Sequence, residues 1–123
     1  MRLVAGLDMA ASSRTVRRVL KDEAPWKPDE IVDQYRASSP TMRELQRLLA
    51  DDPDRQFAAE ELAGVLGTTR QELAGAVGSY SGYIYRHWGR YSWPFAVHRD
   101  QSARRTYYAM PPEVAAVIRQ QEP

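Results

Sequence analysis

The sequence predicts a mainly α fold with a small β-hairpin, and three observations carry that expectation. Ser, Thr or Pro repeatedly stands just ahead of apolar residues at helical spacing, which is how helices start. Two short runs rich in aromatic and β-branched residues, Trp93–Val97 and Thr106–Met110, flank a polar loop at 98–105, as the arms of a hairpin do. An apolar share of 43 % over 123 residues suits one domain with one modest core.

The elements follow in order. Leu3-Val4-Ala5 is a candidate short strand, and Ser12 or Ser13 is placed to cap a helix through about Lys21. Arg14, Arg17, Arg18 and Lys21 would share one face of that helix, either as a solvated surface or as a phosphate-binding arm. Ala24-Pro25 breaks the chain. Pro28 then suits a first helical position, with Asp29 and Glu30 favoured by the helix dipole and Trp26 and Ile31 spaced as a hydrophobic staple. Ser39 caps the next helix and Pro40 opens it; Thr41-x-x-Glu44 has the spacing of a capping box, and Met42, Leu45, Leu48 and Leu49 form the inner face. Asp51-Asp52-Pro53-Asp54 is a turn by composition.

A third helix is expected from about Ala58 to Leu66, stopped by Gly67. Thr69-x-x-Glu72 caps a fourth, with Leu73, Ala76 and Val77 inward. Glycines at 75, 78 and 82 weaken it by roughly 1 kcal/mol each, so a stop or kink is expected near Gly78–Gly82, with a second helical piece from about Tyr80 to Trp88. Leu45, Leu49, Leu62, Leu66, Leu73 and Val77 are expected to be buried together. Tyr80, Ile84, Trp88 and Tyr91 recur at helical spacing and read as core. After the hairpin, Pro112 opens a last helix carrying Val114, Val117 and Ile118.

Composition narrows the function. There is no Cys, hence no disulfide and no thiolate metal site. No apolar run reaches the roughly 18 residues a membrane span needs, and Leu3–Leu7 is too short for an export signal; a cytoplasmic protein is expected. His87 and His98 lack partners at metal-ligand spacing, Ser79 and Ser81 lack a nucleophile motif, and the glycines fit no phosphate-cradling loop. The expectation is therefore no enzyme, no cofactor and no metal. The formal net charge is only +1, yet residues 68–110 hold six arginines against two acids. Fifteen of the seventeen basic residues are arginine, so the positions of the arginines are informative rather than their type.

Residues Glu61 to Leu73 combine small Ala63, Gly67 for a left-handed turn, Thr69 as a cap and Leu73 to pack back, and this segment resembles a helix-turn-helix. With the hairpin after it, the chain resembles the winged helix-turn-helix superfamily over about residues 39–119. It is similar within that superfamily to a group of uncharacterised small actinobacterial winged-helix proteins. The shared segments are Arg55-Gln56-Phe57, Glu61-Leu62-Ala63, Trp88-Gly89-Arg90, Trp93-Pro94, Tyr108-Ala109-Met110 and Glu113-Val114-Ala115. The resemblance implies a winged helix-turn-helix domain at 39–121 with an N-terminal helical extension at 1–38. It also implies DNA binding as a first expectation, although winged helices also dock proteins.

On that reading the recognition helix, about 69–78, presents Thr69, Arg70 and Gln71 to the major groove. Arg70 has the geometry for guanine and Gln71 for adenine. Arg99, Arg104 and Arg105 on the wing, 98–105, would meet phosphates or the minor groove, with Arg86 and Arg90 adding charge nearby. Tyr83 and Tyr85, off the core stripe, are candidates for a ligand or partner surface. The expected partner is double-stranded DNA, bound by a regulator of transcription. So few base readers favour a homodimer, with residues 1–38 and 112–121 as the interface. The alternatives are a winged-helix adaptor that docks another protein without binding nucleic acid, and, further off, binding of RNA or a single strand through the tyrosines.

Overall fold

The computed structural model describes residues 23–121. The expected strand at 3–5, the helix of 12–21 and its basic face lie outside the described residues. Among the described residues five helices and three short strands follow in order: α1 (Pro28–Ala37), α2 (Pro40–Ala50), β1 (Phe57–Ala58), α3 (Ala59–Val65), α4 (Arg70–Trp88), β2 (Ala96–Asp100), β3 (Arg105–Ala109) and α5 (Pro112–Arg119). The molecule is mainly helical with one small antiparallel sheet of order β1-β3-β2. Among the described residues no helix is long and apolar enough to cross a membrane.

Local chemistry sets each boundary. Ser39 accepts from the Met42 N–H as the cap of α2; the spacing at Thr41 and Glu44 is not used that way, and Glu44 pairs with Arg47 instead. At the end of α3, Gly67 takes φ +71, its N–H reaches the Gly64 carbonyl, and the Thr68 N–H reaches the Ala63 carbonyl at 2.9 Å. That pair of bonds closes the helix in a left-handed Schellman turn. Two residues later Thr69 Oγ1 accepts from the Glu72 N–H while Glu72 accepts from the Thr69 N–H, a reciprocal cap for α4. The Glu72 carboxyl is held below the usual carboxylate range by hydrogen bonds from the Thr68 hydroxyl and from Thr69. It therefore stays ionised at neutral pH and keeps the cap closed.

The core gathers the apolar stripe of every helix. Leu45, Leu49, Leu62, Leu73 and Val77 are buried together as expected, with Met42, Ile84, Met110 and Ile118; Leu66 is only half-buried at the turn. Helix α1 joins the same core through Ile31 and Tyr35, and packs with α2 against α5, which buries Val114, Ala115 and Ile118.

Helix α4 runs unbroken for 19 residues through all three glycines, where a stop or kink was expected. Leu73, Val77, Tyr80 and Ile84 explain the difference, because they lie on one face and are all buried. Burying four such side chains, each at about 1.5–3 kcal/mol, outweighs roughly 3 kcal/mol of glycine propensity. Gly89, at φ +64, then ends the helix. Tyr91 consequently leaves the core stripe and is 44 % exposed, whereas Tyr80 and Ile84 are buried and Trp88 is half-buried against Trp26.

A buried polar cluster ties α1, α2 and α4 together. Gln34 and Gln46 are fully buried; Gln34 donates to Gln46 at 2.7 Å, Gln46 donates to Ser38, and Tyr80 donates to Gln34 Oε1 at 2.7 Å. Burial also pushes the Tyr80 phenol far above its usual range, so it remains a donor. Tyr80→Phe leaves Gln34 Oε1 without a well-placed donor. It is expected to cost about 1–3 kcal/mol, read as a lower urea midpoint at unchanged m.

The hairpin is displaced from the expected register. Its strands are 96–100 and 105–109 rather than 93–97 and 106–110, and its loop shrinks to 101–104. Phe95 is drawn inward, where it stacks on Tyr80 and Trp93 and contacts Tyr108, so Trp93–Phe95 forms the root of the hairpin and not its strand. The distal half is held by cross-strand pairs. His98 stacks on Tyr107, and Arg99 donates to Thr106 at 3.0 Å. A two-residue strand before α3, Phe57-Ala58, pairs with Tyr108 and Tyr107 and roots the hairpin from its other side.

Candidate functional site

The first turns of α4 and the β2–β3 hairpin face one another across an open cleft of about 520 Å³. It is lined by Arg70, Gln71 and Ala74 from the helix, Arg99 and Thr106 from the hairpin, and Leu73, Ala59 and Tyr108 at its base. The sequence folds this way because Leu73 and Tyr108 are anchored in the core, Leu73 on the inner face of α4 and Tyr108 on the central strand. Arg70 and Gln71, just before Leu73, and Thr106, two residues before Tyr108, are thereby brought to the cleft.

Of the residues expected to act together, the structure brings Arg70, Gln71 and Arg99 to this cleft. Thr69 stands at its helical end, exposed, with its oxygen already accepting in the cap and its hydroxyl proton still available. Arg105 begins β3 opposite Asp100, and Arg104 sits in the hairpin loop with φ +55. A left-handed arginine is unusual, since a Cβ there costs roughly 1–2 kcal/mol, which glycine avoids. The loop is tightened by Asp100, whose carboxylate accepts from the Ala103 N–H.

Arg70 is not a bare cation. Its guanidinium meets Glu60 of α3 at 3.1 Å, with both side chains substantially exposed. The Glu60 carboxyl is held below its ordinary range, first by its own backbone N–H, then by Arg70, and more weakly by Arg105. Sequence reading missed Glu60, because ten residues and a turn separate it from Arg70 and no periodicity links them. Thr106, which fixes Arg99, was likewise hidden inside an aromatic run.

Arg86 and Arg90 are not at the cleft. Arg86 folds back along α4, so that a methyl at Gly82 would approach its guanidinium to 3.1 Å. Arg90 is only 11 % exposed and is committed to a local network. It pairs with Glu30 at 2.9 Å, donates to the Ala24 carbonyl at 2.6 Å and lies over the Trp26 ring. Glu23 completes the network by accepting from the Tyr91 and Ser92 N–H groups. Arg90 was expected among the surface cations; its charge instead fastens residues 23–30 to the end of α4. Tyr83 is half-buried beside Trp88 and His87, while Tyr85 remains half-exposed and packs on Tyr91 at 5.1 Å.

The exposed ridge of α4 carries no side chain at Gly75 and Gly78, while Arg86 covers it at Gly82. Counting 100° per residue, Gln71, Gly75, Gly78 and Gly82 lie opposite the buried line of Leu73, Val77, Tyr80 and Ile84. A methyl at Gly75 or Gly78 would meet nothing within 4 Å among the described atoms. Nothing inside the described fold requires glycine at either position.

Comparison with known proteins adds no relationship to this geometry: no family model, no curated protein and no solved structure matches the chain.

Proposed function

We propose that this chain is a cytoplasmic winged helix-turn-helix protein that binds double-stranded DNA, without catalysis, as a regulator of transcription. In this reading α4 enters the major groove by its first turns and the β2–β3 hairpin is a wing lying on the backbone. The carrying observation is the cleft, where a potential base reader, Arg70 with Gln71, stands beside Arg99 of the hairpin. The element order α2-β1-α3-α4-β2-β3, with β3 central in the sheet, supports the winged-helix assignment. So does the short capped turn between α3 and α4.

A salt-dependent mobility shift on mixed genomic duplex tests the reading. Contacts from Arg99, Arg104, Arg105 and the start of α4 would give a slope of log K on log salt of about −3 to −4. Absence of salt-dependent binding to any duplex overturns it in favour of a protein-docking adaptor, for which the half-exposed Tyr85–Tyr91 pair is the best surface. With Arg70 and Gln71 as the only base readers proposed, the reading also includes a homodimer on paired half-sites. Sedimentation showing one protomer per duplex at saturation would remove that part.

Arg90→Ala separates the fold from the interface. It strips a nearly buried cation from Glu23 and Glu30 and is expected to cost roughly 2 kcal/mol, below the 3–5 typical of fully buried pairs. The salt slope of DNA binding should not change. A shallower slope with intact stability would mean that Arg90 reaches phosphate.

A further inference from the structure

We propose that Glu60 is a positioning residue for Arg70 that sets discrimination: it orients the guanidinium and keeps a negative charge beside it, so that docking favours a base edge over a phosphate. The inference rests on the DNA-binding reading above. An isolated arginine is a ready phosphate ligand, because its planar fork matches two phosphate oxygens. Here one arm of that fork is already engaged, Nη1 with Glu60 Oε2 at 3.1 Å. The remaining donors are left for one bidentate partner. A phosphate arriving there meets the fixed carboxylate as a like charge, whereas the O6/N7 edge of guanine is neutral and meets no such repulsion.

Glu60 bonds its own backbone N–H at the start of α3, but that local bond does not account for its reach to Arg70. An acid in the first turn of α3 favours the helix, but Glu61 supplies one in the same turn and directs its carboxylate to Arg55. Glu60 alone is aimed at α4. Its pair with Arg70 is 45 % and 62 % exposed, and such pairs contribute little to stability. Neutralising Glu60 should therefore alter binding while leaving the fold nearly untouched.

The test titrates the full chain and its Glu60→Gln and Glu60→Asp variants at several salt concentrations. The probes are a duplex selected from a random pool by the wild-type chain and an unselected duplex of equal length. Thermal unfolding is followed in parallel. With Glu60→Gln, affinity for the unselected duplex should rise several-fold, and the salt slope should steepen by close to one unit as one opposing charge is lost. The ratio of selected to unselected affinity should fall correspondingly. Glu60→Asp keeps the charge but shortens the reach, so the slope should hold while the ratio drops. In an Arg70→Ala background, Glu60→Gln should change neither the slope by a full unit nor the ratio, because no guanidinium is left to take the phosphate. If the wild type binds duplex and its ratio is unchanged by Glu60→Gln, the inference is overturned and the DNA reading stands. If Glu60→Gln weakens both duplexes equally at constant slope, the inference is likewise overturned. If the wild type binds no duplex, the reading and the inference fall together.

Discussion

Replacing Arg104 and Arg105 together with alanine is expected to weaken binding to every duplex alike and to flatten the salt slope by about two units, close to one per lost phosphate contact. Arg70→Ala is expected to behave differently. It should cost about 1–3 kcal/mol on the selected site and much less on unselected DNA, because a bidentate base contact is made only where the base is right. The geometry motivates the division. Arg104 and Arg105 lie at the end of a hairpin of five paired positions and are absent from the lining of the cleft. Arg70 stands on the first turn of α4 and is held by Glu60. A control excludes damage to the loop: Arg104→Gly relieves a left-handed φ of +55, so it should match or exceed the wild type in stability while binding more weakly. If Arg70→Ala weakens selected and unselected duplexes equally, the helix is not reading bases and the docked orientation is wrong. If the double variant leaves the salt slope intact, the hairpin does not lie on the backbone.

Much of this site is legible from short-range chemistry. Gly67 and Thr69-x-x-Glu72 mark the turn and cap that aim α4, and both act within a few residues of themselves. The helical spacing of Leu62, Leu73 and Val77 likewise identifies the packing that holds the two helices together. What sequence reading misses depends on distant partners. The glycines of α4 argue for a break only until the burial of Tyr80 and Ile84 is known. The outer hairpin lacks apolar alternation because it extends beyond the core, and its pairing rests on His98–Tyr107 and Arg99–Thr106. Arg90 resembles a surface cation until Glu23, Glu30 and Trp26, some sixty residues earlier, are seen around it. Glu60 carries no periodic signal at all, since its relation to Arg70 is created by the turn between two helices.

The bare stretch of α4 at Gly75 and Gly78 leads to an opposed pair of effects from one variant. Gly75→Ala/Gly78→Ala should stabilise the free protein by about 1–2 kcal/mol, because each alanine gains roughly 0.5–1 kcal/mol over glycine within a helix. Both methyls would stand in open space, so no strain offsets that gain. At about 4–8 °C per kcal/mol for a domain near 100 residues, the rise in melting temperature is readily measured. On the proposed function, close approach of a partner is a physical use for a face that gives up this much stability. In the proposed docking the ridge of Gln71, Gly75 and Gly78 faces the groove, where two added methyls hold the helix away from the base edges. The more stable variant should therefore bind the selected duplex more weakly, by about tenfold if one bidentate contact of the 1–3 kcal/mol class is partly lost. Binding to unselected DNA should change less, since wing contacts dominate there. A variant that is stabilised yet binds the selected duplex as the wild type does would show that the partner meets another face of the molecule. A variant that is not stabilised would show that the described fold itself constrains these two positions, contrary to the open space around them.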